Sequence, residues 1–260
     1  STTVEAWARG YIESTELAHK LAPPAPPSDF ATSPLPLVLR SPGRPPELEV
    51  VERARKLRRL ASPRNRAHVL ATFLHHELQA AELMCWAILA FPGAPRELRE
   101  GLVRVFQDEV RHMAMYAVHI EALGYRVGDF PVRDWFWERI PSCATIGEFL
   151  AVMGLGFEAG NLEHAARFAE RFRAVGDEDG ARIQEQVARE EVPHVRFAAR
   201  WFRELVGPLT FEAWKNALPP PLSPMLMRGR PLDREARLRG GMDEAFIEAL
   251  DAWEPVPSGS

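Results

Sequence analysis

Cysteine is scarce in this chain, with Cys85 and Cys143 the two in 260 residues. That excludes a disulfide framework, and both fall in apolar surroundings that suit buried free thiols in a reducing cytoplasm. Long apolar runs are missing too. The longest, "LMCWAILAF" at 83–91, is far too short to span a bilayer, so no membrane partner is expected. No secretory leader is expected either, because residues 1–20 mix charges throughout. A large excess of one charge is also lacking: the formal net charge is −4, which disfavours nucleic acid as a partner. The basic run "ERARKLRRLASPRNR" at 52–66 carries no aromatic residue for base stacking and reads as a solvated helix face. Alternating strand patterns are absent, which points to an all-α fold.

What is present is proline, in two blocks. Residues 22–46, "APPAPPSDFATSPLPLVLRSPGRPP", and 218–231, "LPPPLSPMLMRGRP", cannot be helix or central strand and read as extended segments lying on a body. Between them the period is helical, with candidate helices at 47–60, 64–91, 95–123, 145–175 and 178–206, and shorter ones at 209–217 and 233–251. The turns contain Pro92, Gly93 and Pro95, and then Gly176 with Asp177 and Asp179. The connection 124–144 is long and aromatic. Four long helices with two tight turns and one long middle connection describe a four-helix bundle with a crossover. The expected organisation is an N-terminal helix and proline-rich arm (1–62), the bundle (63–207) and a C-terminal extension (208–260).

The apolar stripes of these helices carry ionisable residues where a core should be. On 95–123, Leu98, Leu102, Val105, Glu109, His112 and Tyr116 share one face. On 178–206, Val187, Glu191, His194, Ala198 and Trp201 repeat it, again with Glu-x-x-His inside. On 64–91 the stripe Leu70, Leu74, Glu77, Ala81, Met84 contains one glutamate, and on 145–175 the stripe Ala151, Leu155, Glu158, Leu162, Ala165 does likewise. The chain therefore reads as two similar helical hairpins with the same polar residues at the same depth. Four clustered carboxylates without cations would repel and shift to neutral forms. Two divalent metals remove that cost, each taking one imidazole, one terminal carboxylate and a share of two bridging carboxylates. This is the ligand pattern of ferritin-like dimetal-carboxylate proteins. Glu77, Glu109, Glu158 and Glu191 are the candidate catalytic carboxylates, and with His112 and His194 they form the candidate metal-ligand set. Oxygen-rich ligation suits two iron ions, with manganese or a mixed manganese–iron pair as the alternative.

Rivals and neighbours follow from the same helical geometry. Glu82 and Glu163 lie five residues beyond Glu77 and Glu158, about 140° around the helix, and are expected to face a neighbouring helix or solvent. His75, His76 and His164 lie off the stripe. Asp108 and Glu190 are candidates to orient the opposite imidazole, or are solvated charges. Tyr116, one turn beyond His112, is either a hydrogen-bonding or redox residue near the metals or an ordinary core tyrosine. Pro193, inside the second Glu-x-x-His, predicts a kink or a π-bulge.

The segments "HHELQAAEL", "DEVRH", "FEAGNLE" and "EEVPHVRFAARWF", in that order, resemble an uncharacterised family of the ferritin-like superfamily related to the diiron tRNA hydroxylase. "KLAPPAPP", "SPGRPPEL", "GYRVGDFPVRD" and "PLDREARLRGGM" extend the resemblance over residues 15–250 or so. Pro193 and the segment "PMLMRGR" depart from the family pattern. The resemblance implies a ferritin-like core with a nonhaem dimetal centre on the six residues above. It brings no substrate.

The leading expectation is a nonhaem diiron oxidoreductase that uses dioxygen on a small organic substrate with an external electron donor, with Trp135, Phe136, Trp137, Met225 and Met227 as candidate pocket walls. Alternatives are iron storage or detoxification, a tRNA-modifying hydroxylase, or a structural metal site. A homodimer is the candidate assembly.

Overall fold

The computed structural model describes residues 2–53 and 59–255. Among them the secondary structure is helical, apart from one isolated parallel bridge between Val50 and Val132. The helices are α1 (Val4–Glu13), α2 (Leu17–Leu21), α3 (Pro63–Ala90), α4 (Arg96–Ala122), α5 (Ile146–Phe149), α6 (Ala159–Arg173), α7 (Glu178–Leu205), α8 (Phe211–Asn216), α9 (Arg234–Arg239) and α10 (Glu244–Ala252). A π-helical segment, Leu150–Glu158, joins α5 to α6. The chain divides into two compact units: residues 1–141 with 171–183, and residues 142–170 with 184–260. The arm thus groups with the first hairpin, and the tail with most of the second.

In the first unit, α3 begins where the sequence says it should. Ser62 caps it by accepting from the Asn65 N–H at 3.2 Å, and Pro63 occupies the first helical position, where no N–H is needed. The "FPGAP" turn then leads into α4. Gly124, at φ +86°, ends α4 in the left-handed conformation that glycine adopts without strain. The arm is fixed to α3 by buried charge. Lys20 is fully buried and donates to the Tyr11 and Ile12 carbonyls at 2.7 and 2.8 Å, which α1 leaves unsatisfied at its C-terminus. Its third bond goes to Glu82 at 2.7 Å. Arg44 grips both Glu82 oxygens at 2.6 and 2.9 Å and also binds Asp134, while the Trp137 indole N–H donates to Glu82 at 2.8 Å. Burial alone would raise the Glu82 carboxyl, but Arg44 and Lys20 outweigh it and hold the pKa below the usual value. Gln79 binds the connection as well, donating to the Arg133 carbonyl and accepting from the Phe136 N–H. Gly43 is required by close approach, since a Cβ there would collide with the Glu13 carbonyl.

The second unit repeats the device with one cation. Arg237, fully buried, donates to both oxygens of Glu163 at 2.6 and 2.7 Å and to the Met227 carbonyl at 2.6 Å. The Asp233 N–H adds a bond to Glu163 at 3.0 Å. Trp214, packed among Phe211 and Phe246, donates its indole N–H to the Ala151 carbonyl inside the π segment at 3.0 Å. Gly154 lets that segment close on α7, where a Cβ would meet the Ala198 methyl.

Three expectations change. The helix expected at 47–60 is not found at 47–53, where Val51 and Val132 make backbone bonds across the bridge; two β-branched residues behind Pro45–Pro46 favour extended chain. Residues 54–58 of that expectation, inside the basic run, lie outside the described residues. The span 233–251 is two helices, broken at Gly240–Gly241, with Gly241 at φ +91°. The π geometry expected at Pro193 occurs instead at Leu150–Glu158, and α7 is α-helical throughout. Pro193 is exposed, as is Arg189 one turn earlier, so the carbonyl that loses its backbone bond to proline lies on a face open to solvent.

Removing one partner of a buried pair strands the other charge. Glu163→Ala, which leaves Arg237 buried without its carboxylate, is expected to cost about 3–5 kcal/mol in a urea unfolding curve. Arg9→Ala, at the exposed Arg9–Glu13 pair, should leave the curve nearly unchanged.

Candidate metal centre

Each unit carries one copy of the predicted ligand group. In the first, Glu77 projects from α3, and Glu109 and His112 project from one face of α4. Glu109 and His112 are 0% exposed. The His112 Nδ1 lies 3.6 Å from a Glu109 oxygen and 3.7 Å from a Glu77 oxygen. In the second, Glu158 is the last residue of the π segment, and Glu191 and His194 lie on α7. The His194 Nδ1 is 3.4 Å from Glu191 Oε2 and 3.7 Å from Glu158 Oε2, and all three residues are buried. Within each triad the ligand atoms lie inside 4.8 Å of one another, so these buried clusters could hold a metal ion. The separations are longer than the usual 2.7–3.2 Å or so of a hydrogen bond. They are near the spacing of roughly 3.0–3.5 Å that ligands take around one ion at about 2.1 Å.

In the first triad two carboxylates and an imidazole are buried together. Burial and the neighbouring Glu109 carboxylate push the Glu77 carboxyl well above its usual range. Burial works against a charged His112, but Glu109 and Glu77 beside it prevail and push its pKa up to about 12. Protons do here what a metal would do when bound. In the second triad one polar contact stands out. The Asn161 side-chain N–H donates to Glu191 Oε1 at 3.0 Å, while Glu191 Oε2 is buried and makes no hydrogen bond.

A family model described as "Protein of unknown function (DUF455)" matches residues 2–248. The chain belongs to the DUF455 family. An "Uncharacterized protein" of Haemophilus influenzae (strain ATCC 51907 / DSM 11121 / KW20 / Rd) is 28% identical over 166 residues, which are 61% of this chain and 58% of that protein. The match thus spans a little over half of the relative's length. No solved structure matches.

In this DUF455 chain the two rivals have other employment. Glu82 and Glu163 are neither solvent-facing nor part of the triads; they receive the cations of the arm and of the tail. His75 binds Asp134 through Nε2 at 2.8 Å, His76 stacks on Phe136, and His164 lies against Phe168. Asp108 pairs with Arg111 at 2.7 Å, and Glu190 accepts from Gln186 at 3.1 Å. Tyr116 is buried, its ring 6.1 Å from Phe73. Trp137 and Met227 are buried, whereas Met225 is exposed. Asn161 is not legible as a site residue from the sequence. Its one signal there is its place three residues after Glu158, one turn along the same helix. Cys85 and Cys143 are both buried free thiols, and no helix among the described residues is long and apolar enough to cross a membrane.

Two measurements test the assignment. Glu77→Ala and Glu158→Ala should lose metal by elemental analysis, while Glu82→Ala and Glu163→Ala, if folded, should keep it; the reverse result would sink the stripe assignment. With its pKa pushed up to about 12, His112 carries a proton at neutral pH in the metal-free triad, so metal must displace it. Affinity should therefore rise with pH between about 6 and 8, with net proton release seen by calorimetry in buffers of different ionisation enthalpy. Binding that ignores pH and releases no proton would place the metal elsewhere.

Proposed function

We propose that the two triads supply the metal ligands of a ferritin-like dimetal protein, and that it is a nonhaem diiron oxidoreductase acting on a small organic substrate. The observation that carries this reading is the repetition of a buried Glu with a buried Glu-x-x-His, once in each hairpin. The donor set fits the group: four carboxylates and two imidazoles suit iron or manganese better than zinc, which prefers closed four-coordinate sites. Glu109 with His112 and Glu191 with His194 would hold one ion each, and Glu77 and Glu158 would complete the ligand set.

When bound, a pair of ferrous ions would supply electrons to dioxygen. The chain's own residues do the rest. His112 holds a proton until loading releases it. Apolar neighbours such as Leu102, Val105, Met113, Leu155 and Val195, all buried, keep bulk water from the ligands. Glu82 and Glu163, locked to buried cations, fix α3 and α6 one turn beyond Glu77 and Glu158. Hydroxylation of one C–H bond by dioxygen consumes two further electrons, so an external donor is required. The family that the sequence resembles is related to a diiron tRNA hydroxylase, which suggests the class of chemistry; the net charge of −4 favours a small molecule over nucleic acid.

Catalysis and storage begin from the same six ligands and separate after the first two irons. Anaerobic Fe(II) titration followed by stepwise oxygen should show uptake saturating near two irons per chain. Sustained oxygen consumption should then need a reductant and a substrate. Uptake continuing to tens of irons per chain in a large hollow particle would replace the enzyme reading with storage.

A further inference from the structure

Asn161 breaks the symmetry of the two triads. It lies on α6, three residues after Glu158, and its amide N–H donates to Glu191 Oε1 at 3.0 Å. A carboxylate can only accept, so the amide nitrogen must face it. With Oε1 occupied, Glu191 offers Oε2, the atom that makes no hydrogen bond, is buried, and lies 3.4 Å from His194 Nδ1. In the first hairpin the residue three after Glu77 is Ala80, so no amide at that position can serve Glu109. The backbone differs as well: Glu158 ends a π-helical segment, whereas α3 is α-helical through Glu77.

We propose that Asn161 is a positioning residue that holds Glu191 as a one-oxygen ligand, and that it makes the metal position of Glu191 and His194 the tighter of two unequal positions. This rests on the dimetal reading above. A ligand carboxylate that is already oriented loses less freedom when it binds, and hydrogen-bond partners of ligands typically change metal affinity by about 10–100-fold when removed. The juxtaposed Asn161 amide, Glu191 carboxylate and His194 imidazole form a pre-set pair of donor atoms that the first hairpin does not copy through Ala80.

The test uses the full chain stripped of metal and titrated with Co(II) alone, followed by visible absorption and calorimetry. The wild type is expected to bind two Co(II) per chain in two resolved steps. Asn161→Leu, which fills similar volume without a donor, should weaken the tighter step about tenfold or more and alter its ligand-field bands. The second step and the total of two should be kept. Asn161→Gln, which keeps the donor, should recover part of the loss. If Asn161→Leu does not fold, Asn161→Ala, which adds no bulk, carries the same expectation. Two unchanged steps in a folded variant would overturn the proposal. So would parallel weakening of both steps together with a fall in Tm, because that is the signature of a merely structural residue. A wild type that binds no Co(II) would instead overturn the dimetal reading on which the proposal stands.

Discussion

The structure turns on how buried carboxylates are compensated. An isolated ion in a protein interior costs several kcal/mol even after relaxation, so each must find a cation, donors or a proton. Two of the buried glutamates are fully served by the chain. Glu82 has Lys20, Arg44 and the Trp137 indole; Glu163 has Arg237 and a backbone N–H. In each triad two glutamates face one histidine. Two carboxylates against one imidazolium leave one negative charge in each, and a neutral imidazole leaves two. Protons can reduce that charge, as the raised Glu77 and His112 values indicate, but only by occupying the atoms that face one another. Buried acid-rich clusters whose ligand atoms lie within 4.8 Å of one another are the physical reason to read the triads as places for an added cation.

The triad glutamates and the cation-bound glutamates are five residues apart, Glu77 with Glu82 and Glu158 with Glu163. One of each pair looks toward its triad and the other toward the arm or the tail. The proline-rich segments are therefore more than wrapping. Lys20 caps α1, and through Glu82 it ties that cap to α3; Arg237 ties α9 to α6 through Glu163, and its bond to the Met227 carbonyl adds the tail segment 224–230. These ties restrain the rotation of the helices that carry Glu77 and Glu163. A helix free to turn by a few tens of degrees would take Glu77 away from His112.

Much of this can be read in the sequence, for reasons that can be named. Helices α3, α4 and α7 are legible almost to their ends because each has a strong stripe bounded by proline or glycine punctuation. The six triad residues are legible because a Glu or His inside an apolar stripe has no local explanation, and because both hairpins repeat it. Other features are hidden. The bridge at Val50 is decided by pairing with Val132, some 80 residues away, which no local period records. The π segment keeps an apolar pattern that α and π helices share; Gly154 and the Trp214 bond to Ala151 mark it only once the neighbours are known. Pro193 is a true signal with a smaller consequence than its type suggests, since the carbonyl that loses its bond lies on a face open to solvent. Asn161 is hidden because its partner, Glu191, is 30 residues away on another helix.

Under the proposed dimetal reading, the same features would favour retention of metal over its transit. A storage site must release oxidised iron repeatedly, so its ligands gain from freedom to swing. Here the helices that carry Glu77 and Glu163 are tied down by ion pairs buried at both partners, and Glu191 is held by an amide. Rearranging α3 or α6 to expel an ion would break Lys20–Glu82 or Arg237–Glu163 and leave a stranded buried charge. The energy that fixes the arm and the tail therefore also opposes opening of the triads, a barrier that suits a resident cofactor awaiting electrons better than cargo passing through.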